Sequence, residues 1–246
     1  MMRKFASLMS LKCLLALLLV QFVFVMHANA VEQSADAAIK RAQEIVAELE
    51  SGIADAEQFV LQAKQTGDQQ AYTIALQSKE AAEQMLEEAK KHLASAMDMA
   101  KDFDQAPSGP VAAAASYSSE AKADTSNAFA RVGLLYLQAV QFAANQQIDC
   151  SEKINQVSNA DKKIWQDLKN IKALAFQSFG YAKSAFTAGD NAASESAKSE
   201  KTAKECIALA NGLDLQLENF EAICDDFKKK WKKFIDQEDD EEPSPR

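Results

Sequence analysis

Histidine is nearly missing: the 246 residues hold only His27 and His92. Chemistry that relies on clustered imidazoles, such as multi-histidine metal sites or a Ser-His-Asp relay, has little to build on. Glycine (7) and proline (4) are scarce for this length. Their scarcity argues against collagen-like, sandwich and barrel architectures, which need many turn residues. The chain holds no G-x-S-x-G, no phosphate-binding glycine loop and no C-x-x-C, so the familiar hydrolase, nucleotide and thiol-redox signatures are absent. No N-x-S/T sequon is present either. These gaps lead to the expectation of no catalytic residues, no cofactor and no metal.

What the chain does have is alanine, 45 of 246 residues, and apolar residues at helical spacing almost throughout. No sustained alternating pattern of the strand kind occurs. The expected fold class is all-α: elongated antiparallel helical hairpins in a bundle of long helices.

Residues 1–30 read as a secretory leader. Arg3, Lys4 and Lys12 form a positive start, Leu14 to Met26 is apolar except for Gln21, and Ala28-Asn29-Ala30 fits a cleavage site. The apolar stretch is shorter than the roughly 20 residues a spanning helix needs. The expected address is therefore periplasmic or extracellular. Removing the three leader cations leaves 24 basic against 36 acidic residues, a net charge of −12. Such a surface disfavours nucleic acid, whose binding requires cations to displace counterions.

Five segments follow from the pattern. The leader comes first, then an Ala-rich helical hairpin over 31–103 and a Pro/Ala/Ser linker over 104–118. A C-terminal helical bundle spans 119–237, and 238–246 is an acidic disordered tail. Within the first hairpin the seam of helix one is Ala38, Ala42, Ile45, Leu49, Ile53, Ala56, Val60 and Ala63. Thr66-Gly67-Asp68 makes the turn, glycine ending one helix and aspartate capping the next. Helix two is expected from Gln69 to Phe103. Helix three is expected over 119–157, with Asn145-Gln146-Gln147 a candidate interruption. Helix four covers about 160–187 after a break at 158–161. Ala188-Gly189-Asp190 repeats the turn, and a further break at Asn211-Gly212 divides helix five from helix six. Alanine seams bury little area per residue, so the first hairpin is expected to be thin. The aromatic-rich C-terminal half is expected to hold the main core.

A shift of 122 residues lays Gly67-Asp68 on Gly189-Asp190 and Lys79 on Lys201, which suggests an internal duplication. The two turns, each followed by spaced alanines, look like tetratricopeptide hairpins over about twenty residues. The period of that repeat is roughly 34 residues, and its function is not carried over.

Four constellations carry what functional signal there is. Leu213, Leu217, Phe220, Cys224, Phe227, Trp231 and Phe234 follow 4-3 spacing, an a/d seam for packing within the chain or for an interaction through Leu213, Leu217, Phe220, Phe227, Trp231 and Phe234. Lysines 228, 229, 230, 232 and 233 surround Trp231, as in helices that lie on anionic membranes. Six acids within 236–242 oppose that contact, so it is disfavoured. Cys150, Cys206 and Cys224 allow one disulfide among three pairings in an oxidising compartment, or three inert thiols at helix seams. Glu88 and His92 stand four apart on helix two and read as a surface pair rather than a metal site.

The leading expectation is an exported, non-enzymatic interaction or scaffold protein that binds a protein partner or self-associates through helical faces. The alternatives are a carrier of a small ligand or metal ion in the bundle interior, with an apolar cleft among Trp165, Phe176, Phe179 and Phe186, and membrane-surface association through 213–237.

Overall fold

The computed structural model describes the backbone of residues 2–105, 109–145 and 151–239, and the side chains of 34–101, 109–145 and 162–219. It is 96% helical, with five helices and no strand among the described residues. The all-α expectation holds. The helices are α1 (Met2–Gln65), α2 (Gln69–Gln105), α3 (Pro110–Ala144), α4 (Ser151–Thr187) and α5 (Ala192–Asp239). The leader, Cys13 and the acidic tail lie outside the described side chains.

Contacts fix the topology. Ser119 and Ser126 of α3 donate to the carbonyls of Ala96 and Ala89 of α2, so these two helices run antiparallel. Ser34 reaches Glu120 and Arg41 reaches Asp124, so α1 runs parallel to α3. On the other side Ser118 meets both Ser178 and Ser199, while Trp165 meets Tyr136 and Arg131 meets Asp214. These contacts place α4 antiparallel and α5 parallel to α3. The result is an up-down bundle in which α3 is the axis, flanked by the hairpins α1/α2 and α4/α5. The 122-residue correspondence pairs α1 with α4, whose directions relative to α3 are opposite.

The turns form where the sequence placed them. Gly67 takes φ 76°, the left-handed conformation that favours glycine. Asp68 then caps α2: its Oδ1 accepts from the backbone N–H of Gln70 at 2.8 Å and of Ala71 at 3.1 Å. Gly189, φ 52°, opens a 3-10 turn, Gly189–Asn191, before α5.

Several expected boundaries move. The linker segment 104–118 is helical from Pro110 on, and Ala112, Ala114, Ala115, Ser116 and Ser118 are buried. Proline suits a first helical position because its missing N–H has no intrahelical partner there, so it starts α3 instead of marking a loop. α3 ends at Ala144, at the polar Asn145. The expected breaks at 158–161 and 211–212 lie inside α4 and α5. An isolated glycine costs a helix only about 1 kcal/mol, and the packing of Leu213 and Leu217, both almost fully buried, is worth more than that.

The core also sits elsewhere than expected. It is centred on α3, which is buried on nearly all sides and contributes mostly small residues, alanine, serine and threonine, against larger ones of the other helices such as Leu49, Met85, Leu168, Ile171 and Leu213. Of the C-terminal aromatics thought to fill it, Phe176 is 71% and Phe186 40% exposed. Small side chains let helix axes approach closely, which compensates in dispersion for what they lack in area. Gly133 shows the closeness: a Cβ there would stand 2.6 Å from Leu49 Cδ2 and 3.2 Å from Met85 Cβ.

Candidate functional site

Because α3 is enclosed, its polar residues are enclosed with it. Ser116, Ser118, Ser119, Lys122, Asp124, Thr125, Ser126 and Asn127 are all buried. Most of the hydroxyls are satisfied across helix seams. Ser118 Oγ lies 2.8 Å from the Oγ atoms of Ser178 and Ser199, and the latter two each donate to the other's carbonyl at 2.9 Å. Thr125 bonds back to the Ala121 carbonyl at 2.7 Å. These groups rigidify the bundle; buried hydroxyls must be paired to avoid a desolvation penalty.

The ionisable residues divide between two grooves, because α2 faces α4 and α1 faces α5 across the edges of α3. In the α1/α5 groove Asp124 pairs with Arg41 at 3.7 Å. Burial pushes its carboxyl up to about 7, helped by Glu120 and Asp214 and opposed by Arg41. One helical turn pair further along, Arg131 bridges Asp214 at 3.3 Å and Glu218 at 3.8 Å. Burial likewise holds the Asp214 carboxyl above the usual range. Nearer the α3 N-terminus Tyr117, Glu120, Lys204, Ile207 and Asn211 line an open groove of about 380 Å³.

The α2/α4 groove has the opposite sign. Lys122 is only 4% exposed, and its Nζ lies 5.5 Å from the Phe176 ring centre and 5.7 Å from that of Phe179. Lys183 approaches Phe179 from outside, also at 5.7 Å. Burial lowers the Lys122 pKa, and Lys172 and Lys91 lower it further against the opposing influence of Cys206. On α2, His92 is 3% exposed and stacks on Phe129, ring centres 5.5 Å apart and planes 6° from parallel. Neither of its ring nitrogens has a hydrogen-bond partner. Burial, then Lys122, brings its pKa down to about 4, so it is neutral at pH 7. Glu88 closes the groove by accepting from Lys172 Nζ at 2.6 Å.

Some sequence-derived candidates change place. Glu88 and His92 do come together, at 3.7 Å, but His92 is a core residue and not half of a surface pair. The cause is legible in retrospect: Met85, Ala89, His92, Ala96 and Met99 follow 4-3-4-3 spacing and are all buried. Their third neighbour is an ammonium, Lys172, which repels a cation. Leu213 and Leu217 pack in the core beside Cys206 and so are not surface for a partner. Phe220, Phe227, Trp231 and Phe234 lie outside the described side chains, as do Cys150 and Cys224. Cys206 is a free buried thiol donating to the Ile171 carbonyl at 3.3 Å, its pKa pushed up by burial to about 11. The apolar cleft expected among Trp165, Phe176, Phe179 and Phe186 is two sites: Trp165 packs towards Tyr136, with its Nε1 3.2 Å from the hydroxyl, while Phe176 and Phe179 flank Lys122. The sequence reading missed Lys122 and Asp124 altogether.

Among the described residues, no helix is long and apolar enough to cross a membrane, and no group of three His, Cys, Asp or Glu side chains is placed to hold a metal. No protein-family model, curated protein or solved structure matches the chain.

Proposed function

We propose that the chain is an exported, non-enzymatic helical interaction protein that docks a protein partner, or a second copy of itself, on the outer faces of its bundle. The observation that carries this reading is on the α4/α5 hairpin. Phe176, Phe186, Leu209 and Leu215 are 71, 40, 43 and 60% exposed, outside a core that Leu168, Ile171, Leu213 and Leu217 of the same two helices already fill. Large apolar side chains held outside a filled core leave most of their surface in water and become useful when a partner covers them. Export rests on the leader pattern of residues 1–30, and the acidic balance of the remainder directs the choice of partner away from nucleic acid.

Chemical cross-linking combined with light scattering tests the reading. The protein is expected to associate with itself, or to retain one defined protein from its native source. Replacing Phe186 and Leu215 by serine is expected to weaken that association at least tenfold with little change in melting temperature. A strict monomer that retains no partner contradicts it.

A further inference from the structure

The Lys122 environment poses a physical question that the docking reading does not answer. An ammonium almost removed from water is expensive unless an anion faces it. Besides its own burial, the titratable groups that act on Lys122 are the Cys206 thiol, Lys172 and Lys91. No described carboxylate lies within ion-pairing distance of it; Glu88 of α2 is spent on Lys172. Cation–π contact with two phenylalanines returns about 0.5–2 kcal/mol, less than the several kcal/mol that burying a charge costs. His92 adds a second unmet demand: a buried neutral imidazole with one N–H to donate and neither nitrogen bonded. Against the Lys122 ammonium stands Phe176, a residue 71% exposed.

We propose that the α2/α4 groove is a binding site for a carboxylate that carries an apolar chain. Lys122 takes the carboxylate, the His92 N–H is the second donor, and Phe176 and Phe179 cover the chain. Lys172 and Lys91 favour entry of a single negative charge. The groove offers a lone buried ammonium, with no arginine fork and no helix N-terminus among the residues named, which are the features that phosphate sites employ. Glu88 would repel a dianion more strongly than a monoanion. The two phenylalanines supply the apolar contact that a bare inorganic anion cannot use. The proposal does not depend on the docking of a protein partner and can fail or succeed without it.

Calorimetric titration of the purified chain with dodecanoate, below its micellar concentration, tests the site, with dodecanol as the uncharged control. One dodecanoate per chain is expected, with dodecanol at least tenfold weaker. Lys122→Met is expected to reduce dodecanoate affinity at least tenfold and to melt no lower than the parent, since it removes a buried charge. Phe176→Ala, at an exposed position, is expected to weaken binding several-fold with the fold intact, and it decides the matter if Lys122→Met does not fold. Lys201→Met, on the outer face of α5, is expected to leave binding unchanged. The proposal is overturned by absence of binding at millimolar dodecanoate, by equal affinity for dodecanol, or by Lys122→Met or Phe176→Ala variants that fold and bind as the parent does.

Discussion

Lys122 and Asp124 stand two residues apart on α3 and enter opposite grooves: Lys122 meets Phe176 and Phe179 of α4, and Asp124 meets Arg41 of α1. Two residues turn a helix by about 200°, so a buried helix with adjacent charges of opposite sign separates them across its axis. Each is buried and each is driven towards its neutral form by that burial. The central helix thus holds its buried acid on one side of the bundle and its buried base on the other.

That division predicts how stability changes with pH. The Asp124 pKa is raised from 3.8 to about 7 in the folded chain. Its contribution is therefore fully present below pH 3.8 and lost as pH rises towards 7. His92 is lowered from 6.5 to about 4, so its contribution is present above pH 6.5 and lost as pH falls towards 4. Between pH 4 and 6.5 the two slopes oppose each other. Asp124→Asn is expected to stabilise the protein at pH 8, on the order of a few kcal/mol, and to expose an acid-side loss below pH 6.5. His92→Phe is expected to leave only the loss on the alkaline side. Urea melts from pH 4 to 8 measure both; parallel pH profiles for the parent and the two variants would refute the assignment.

Glycines inside helices should respond to alanine in opposite ways. Gly180 and Gly212 have open space where a Cβ would stand, so Gly180→Ala and Gly212→Ala are each expected to stabilise by about 0.5–1 kcal/mol. At Gly133 the new methyl would meet both Leu49 Cδ atoms, at 2.6 and 2.9 Å. Leu49 is fully buried and cannot yield, so Gly133→Ala is expected to destabilise by about 1–3 kcal/mol despite better helix propensity. Gly52→Ala should fall between, because its one close contact is the tip of the Leu137 side chain. Equal shifts at all four positions in thermal melts would show that the α1–α3 approach is wider than described.

The α1/α2 turn depends on one carboxylate. Asp68→Ala removes the acceptor for two backbone N–H groups of α2 and is expected to cost about 1 kcal/mol. Asp190→Ala should cost less, since the second turn is closed by a backbone bond from Asn191 to the Ala188 carbonyl at 3.0 Å. Chemical denaturation of the two variants side by side makes the comparison.

The thiol of Cys206 should resist alkylation. It is fully buried and its pKa is about 11, so neither access nor thiolate is available at pH 8. Mass spectrometry after iodoacetamide treatment is expected to find Cys206 modified only in denaturant. Rapid modification of the native chain would place it outside the core.

Helix type, the two glycine turns and the α1 seam were legible in the sequence, because 3.6-residue periodicity and turn chemistry act locally. Ala38, Ala42, Leu49, Ala56 and Ala63 are buried as their spacing implies. The role of α3 was not legible. A helix whose partners surround it has no polar face to reveal a period, and its run of alanine and serine after Pro107 resembles a linker in composition. The same enclosure hid Lys122 and Asp124, since charges at such positions ordinarily mark a solvated face. The aromatics of α4 misled in the other direction: size suggested core for Phe176 and Phe186, but the close approach of small residues on α3 had already filled it.

α3 is the buried axis on which the rest of the bundle depends, and amide hydrogen exchange resolved by residue tests this most directly. Amides from Ala112 to Val140 are expected to be among the slowest in the chain, exchanging only through global unfolding and slower than the outer turns of α4 and α5. Exchange across 110–118 at the rate of an unstructured linker, or protection of α3 no greater than that of either hairpin, would contradict it.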